Sequence, residues 1–234
     1  MVCVVSILHS NQIAKLEQPN LAPTTLIGID IMQYNELSDT AKEHAFKRHQ
    51  EYAQSNDYYW WESTQEYWVE KLEGLGIYTD TNKVHFSGFG SQGDGACFTG
   101  SINLREFLEA HPDLKKEHAK LYMAVVPFDT RGAACEYYDI ELTRVLGTKS
   151  SYSHENTVQL GSWDLNILPE YDTEDGEDYE RLIIDAEADI EGQCREYMKE
   201  IYRDLEKDYE YMQSMECFLE EVDYKDFDED GSLS

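Results

Sequence analysis

The chain is poor in basic residues. Its 234 residues hold 19 Lys and Arg against 48 Asp and Glu, a formal net charge of −29. Such a field repels phosphate, which excludes a direct nucleic-acid binder, whose surface carries the opposite sign. Long hydrophobic runs are missing too. The apolar run Met1 to Leu8 has no basic residues before it, and no later stretch approaches the ~20 apolar residues of a spanning helix, so no membrane partner is expected. The five cysteines (Cys3, Cys97, Cys135, Cys194, Cys217) form no C-x-x-C pair and are odd in number. That pattern excludes a disulfide framework and fits a reducing cytoplasm.

Metal and catalytic signatures are equally sparse. The seven His show no H-x-x-x-H or H-x-H spacing, so no zinc site is legible. Cys135 has no identifiable His partner in sequence, although a Cys–His pair would be assembled in space. No catalytic residue and no cofactor are expected. A weak metal motif closes the chain. Asp226, Asp228, Asp230 and Gly231 match the first half of a D-x-D-x-D-G calcium loop, without the Glu at position twelve. An acidic tail is the competing reading of that segment.

What remains is a folding sequence. The hydrophobic fraction of 41% and aromatic fraction of 12% exceed those of disordered chains. Residues 1–24 read as an N-terminal extension. Residues 25–170 read as an α+β core with an antiparallel sheet and packed helices. Residues 171–234 read as a long acidic C-terminal helical arm with a tail.

Within the core, Leu26, Ile27, Ile29 and Ile31 predict a strand. Ser38 and Asp39 predict the N-cap and first turn of a helix running to about Gln54, with Ala41, Ala45, Tyr52 and Ala53 near one face. Tyr58, Trp61, Trp68, Leu72 and Leu75 recur at helical spacing up to a cap at Gly76. Alternation over Val84–Gly88 and Ala96–Gly100 about a glycine-rich turn predicts a β-hairpin. Short helices are expected over Leu104–His111 and Leu114–Tyr122, and strands over Glu136–Val145 and Thr157–Asn166.

In the arm, Ile183, Ile190, Cys194, Tyr197, Ile201, Leu205, Tyr209 and Met212 form an apolar stripe at helical spacing. Gly192 and Ser214 are the two places where the helix could break, and Ser214 is preferred. The stripe must pack on the chain's own sheet or on a second copy, so a homodimer is one expectation.

Three stretches carry a resemblance: Tyr34-Asn35-Glu36-Leu37-Ser38-Asp39-x-Ala41-Lys42-x-x-Ala45, Phe86-Ser87-Gly88-Phe89-x-Ser91-Gln92-Gly93-Asp94-Gly95-Ala96-x-Phe98 and Leu205-Glu206-Lys207-x-Tyr209-Glu210-Tyr211. Together they resemble a family of uncharacterised phage and prophage proteins over about residues 25–230. Some members of that family carry an antitoxin label. The resemblance implies a phage setting, hence the cytoplasm of an infected bacterial cell, and little chemistry.

From Tyr171 to Ser234 there are 24 acids against six bases, a net of −18. As one helix these acids would lie about one per 4 Å. A folded pair of such helices would approach the one charge per ~1.7 Å of duplex DNA. The first expectation is therefore a phage-encoded acidic inhibitor of a host defence protein, of the anti-CRISPR or anti-restriction type. It would act as a DNA mimic on a basic nucleic-acid-binding surface. Its candidate contacts are Glu174, Asp175, Glu177, Asp178, Asp185, Glu187, Asp189, Glu206, Asp208, Glu210, Glu220 and Glu221. A solvated helix face has the same composition. The second expectation is an antitoxin-like interaction module that binds through the apolar stripe. The third is a small-ligand or enzymatic protein using the Gly-rich hairpin, with Ser91, Gln92 and Asp94 exposed as contacts, since backbone N–H groups there could cradle an anion.

Overall fold

Ser38 opens the first helix as its sequence requires. Its hydroxyl accepts from Ala41 N at 3.2 Å, satisfying one of the orphan donors of the first turn. The computed structural model describes residues 31–55, 59–125, 138–145, 152–165 and 179–234. Its order is α1 (Asp39–Ala53), α2 (Glu62–Glu73), β1 (Ile77–Tyr78), β2 (Val84–Ser87), β3 (Gly95–Phe98), β4 (Gly100–Asn103), α3 (Leu104–Ala110), α4 (Pro112–Glu117), α5 (Ala119–Val125), β5 (Tyr138–Arg144), β6 (Val158–Leu165), α6 (Tyr179–Met212) and α7 (Met215–Val222). The fold is α+β, as expected. Of the expected first strand, Leu26 to Ile29 lie outside the described residues, as do residues 1–24, and Ile31 is exposed.

Two antiparallel sheets form. β2 and β3 make the expected hairpin, in register Val84↔Phe98 to Ser87↔Gly95. β1, β4, β5 and β6 make a four-stranded sheet in the order β1-β4-β5-β6. β1 and β4 are additions to the sequence reading. β1 has two residues, too few to show alternation, and β4 follows β3 after Thr99 alone, so sequence merges the two into one run. The first helix also presents a different face: Ala41, Ala45, His49 and Ala53 are buried, whereas Tyr52 is exposed. Spacings of four place His49, not Tyr52, in line with the alanines. α2 ends at Glu73 with Gly74 as its cap, and Gly76 instead takes a positive φ of 77° in the turn beyond.

α6 is 34 residues long, about 50 Å at 1.5 Å per residue. It is not an arm beside the core. Ala186, Ile190, Cys194, Tyr197, Met198, Ile201 and Leu205 sit inside the main hydrophobic cluster with Trp68 and Leu72 of α2, Phe98 of β3, Ile102 of β4, Phe107 of α3 and Ile140 of β5. Ile190, Met198, Ile201 and Leu205 each contribute about 1.5–3 kcal/mol by leaving water. That burial outweighs the ~1 kcal/mol helix penalty of Gly192, so the helix runs through it unbroken. The break falls at Ser214, whose hydroxyl caps α7 by accepting from Cys217 N at 3.1 Å.

A second cluster joins Leu37, Ala41 and Ala45 to Phe218 and Val222 of α7 and to Phe227 beyond it. Phe227 is 1% exposed and is held by an antiparallel bridge to Met32, with N···O distances of 2.8 and 3.0 Å. His49 Nε2 donates to Met212 O at 2.9 Å and Gln50 Nε2 to Gln213 O at 3.0 Å, fastening α1 across the α6–α7 joint. The acidic tail is thus a docked hook.

Candidate functional site

The carboxylates of α6 divide by what they touch. α2 and α6 run side by side in opposite directions. Thr64 donates to Asp208, Trp68 Nε1 donates to Asp204 Oδ2 at 3.1 Å, and Lys71 Nζ lies 3.5 Å from Glu200 Oε2. Steps of four and three on α2 and of four on α6 keep these contacts on facing edges. Asp208, expected as a partner contact, therefore serves the α2–α6 seam. Asp189 meets His118 Nε2 at 2.9 Å. Bases on the same helix engage Glu196, from Lys199 at 2.7 Å, and the second oxygen of Asp204, from Lys207 at 3.0 Å. Lys199 holds the Glu196 carboxyl below its usual range by hydrogen bond and charge. Of the remaining expected contacts, Asp185 and Glu210 are exposed, and Glu187 and Glu206 are half-buried. Glu174, Asp175, Glu177 and Asp178 lie outside the described residues.

A further set of exposed acids lies past Ser214. Met215 to Ser234 holds eight acids against Lys225, and Glu216, Glu220, Asp223, Asp226, Glu229 and Asp230 are exposed. α7 buries Cys217, Phe218 and Val222 and turns Met215, Glu216, Leu219, Glu220 and Asp223 outward. Glu221 pairs with Lys225 at 2.5 Å. Tyr211 OH donates to Glu220 Oε2 at 2.7 Å, and this bond to a carboxylate pushes the phenol up to about 12. Glu216, Asp223 and Glu229 were missed by sequence reading. So was a ridge on α2, where exposed Glu62, Glu66 and Glu70 recur every fourth residue, roughly 6 Å apart along the axis. The i,i+4 spacing of Glu62, Glu66 and Glu70 is the sequence signal of that ridge.

The tail carboxylates do not converge as a calcium half-loop would require. Asp226 Oδ1 accepts from Gln33 Nε2 at 2.8 Å, Asp228 accepts from Ser232 and Ser234, and Asp230 accepts from Ser232 and lies 3.5 Å from Arg48. Asp228 and Asp230 share Ser232, whereas Asp226 faces Gln33, on the other side of Phe227, which is buried in the cluster.

At the hairpin tip, Ser91 and Gln92 are exposed. Asp94 turns inward instead, and its Oδ2 accepts from Gly90 N at 2.9 Å and Ser91 N at 2.6 Å. The N–H groups expected to cradle an anion already hold a carboxylate. Above the turn, Phe89 stacks between Tyr202 and Tyr209 of α6, with centroids at 5.3 and 5.0 Å, which seats the hairpin on that helix. Elsewhere, an open cleft of about 650 Å³ lies against β1, β4 and β5, lined by Thr79, Asp80, Lys83, Thr99, Ser101 and Thr143. Cys194 is fully buried, and burial pushes its thiol up to about 12, which leaves it without the thiolate a nucleophile needs.

A family model described as a domain of unknown function, DUF8835, matches residues 60–215. The chain belongs to the DUF8835 family. No curated protein and no solved structure matches it. The matched span runs from Trp60, ahead of α2, to Met215, the first residue of α7, and so takes in the main core. The DUF8835 match leaves α1, the rest of α7 and the hook outside. Among the described residues no helix is long and apolar enough to cross a membrane.

Proposed function

We propose that the protein is an acidic inhibitor that occupies a basic nucleic-acid-binding surface on another protein, in the manner of a DNA mimic. The resemblance to phage proteins directs this reading toward a host defence target of the anti-CRISPR or anti-restriction type. One observation carries it: the exposed carboxylates of Met215–Ser234 stand on a folded element anchored by Phe218 and Phe227. A docked element presents its charges at fixed spacing and avoids the ordering cost that a loose acidic tail meets on binding. The α2 ridge adds a second line of acids. The apolar stripe favours the antitoxin-like reading less, because Ile190, Tyr197 and Ile201 lie in the chain's own core.

The test is capture from bacterial lysate with the intact chain and with a variant carrying Glu216→Gln, Glu220→Gln, Asp223→Asn and Glu229→Gln. The expected result is recovery of a basic nucleic-acid-binding protein that is released at 1 M salt, where the Debye length falls to about 3 Å. Its capture by the neutralised variant is expected to be lost. Equal capture by both chains, or binding indifferent to salt, would remove the charge reading.

A further inference from the structure

We propose that Glu117, His118 and Asp189 bind a divalent transition-metal ion of the zinc and cobalt class. This site is separate from the acidic surface and does not depend on its role. The backbone sets it up. α4 ends at Glu117, α5 begins at Ala119, and the single residue between them, His118, takes φ −100° and ψ 38°. The His118 side chain is 9% exposed and meets Asp189 of α6 with Nε2 2.9 Å from Oδ2. Glu117, one residue earlier, stays exposed, and one ligand atom from each of the three lies within 4.8 Å of the others. Among the described residues, this is where three such side chains meet.

The chemistry selects the ion. Two carboxylates and an imidazole within 4.8 Å of one another offer a divalent ion two negative charges and a nitrogen lone pair. Such an ion neutralises both acids and takes the imidazole nitrogen as ligand in place of its hydrogen bond to Asp189. Nitrogen and oxygen donors about 2.0–2.2 Å from one ion lie roughly 3.0–3.4 Å apart for right-angled to tetrahedral geometry. The His118–Asp189 pair is already close to that spacing. Rotation of the exposed Glu117 side chain brings in the third donor. Imidazole with carboxylates suits zinc and its neighbours, whereas an all-oxygen set would favour magnesium or calcium. Three protein ligands leave a position open to solvent, and the bound ion would tie the α4–α5 junction to α6. No motif spacing announces the site because its ligands come from two distant parts of the chain.

Cobalt titration followed by visible absorption tests this, run on the full chain in excess Mg²⁺ so that diffuse binding to the acidic surface is suppressed. The expected result is uptake of one Co²⁺ per chain with ligand-field bands, and a higher melting temperature in Zn²⁺ than in EDTA. His118→Ala is expected to abolish both. Glu117→Gln is expected to weaken uptake tenfold or more while leaving the metal-free melting temperature unchanged, since Glu117 is exposed. Uptake that ignores both substitutions, or no uptake by the intact chain, overturns the proposal.

Discussion

Gly231 takes a φ of 83°, and a Cβ built there would come 2.1 Å from Ala41 O. Both the left-handed backbone and the close approach to α1 require glycine. Gly231→Ala is expected to destabilise the hook by at least about 1–2 kcal/mol from the backbone term alone, with the clash added. Urea unfolding checks this against Gly90→Ala, a position where an added Cβ meets nothing within 4 Å. Beside it, hydrogen bonds from the Ser232 side chain and backbone hold the Asp230 carboxyl below the usual aspartate range, with Arg48 helping. A depressed folded-state value stabilises the fold above the unfolded pKa of about 3.9, and that contribution is lost as pH falls through the lower folded value. Proton titration by NMR should place Asp230 below a free aspartate, and Asp230→Asn should remove this part of the acid sensitivity.

At the scale of elements, α6 has a buried stripe, a seam with α2 and a solvated side. The stripe residues are core, so Ile201→Ala is expected to cost about 2–5 kcal/mol, read as a lower urea midpoint. An interface role for Ile201 would instead leave the isolated chain's stability unchanged. Ser214 is the joint between α6 and α7, and Ser214→Ala is expected to cost about 1 kcal/mol through the lost cap. Hydrogen exchange should show that loss in α7 and α1 before it reaches the main cluster, because α7 packs in the second cluster.

For the molecule as a whole, two clusters imply two levels of robustness. Removal of Met215–Ser234 takes Phe218, Val222 and Phe227 from the second cluster and leaves every buried member of the main one in place. The shortened chain is expected to keep slow amide exchange around Trp68, Phe107 and Ile201 and to lose protection in α1. Fast exchange throughout would mean that the hook supports the whole fold. The same truncation is expected to abolish capture of the basic partner.

Local chemistry sufficed to read much of this chain. The cap at Ser38, the hairpin about Asp94-Gly95, the apolar spacing of α6 and the break at Ser214 each depend on residues a few positions apart, so the sequence alone determined them. Its acidity is likewise fixed by composition. Tertiary structure decided what each acid does, because the partner of a carboxylate can lie more than a hundred residues away. It put Asp208 against Thr64 and turned Asp94 into its own loop. It also set Asp189 beside His118 and placed Phe227 of the acidic tail in a hydrophobic cluster.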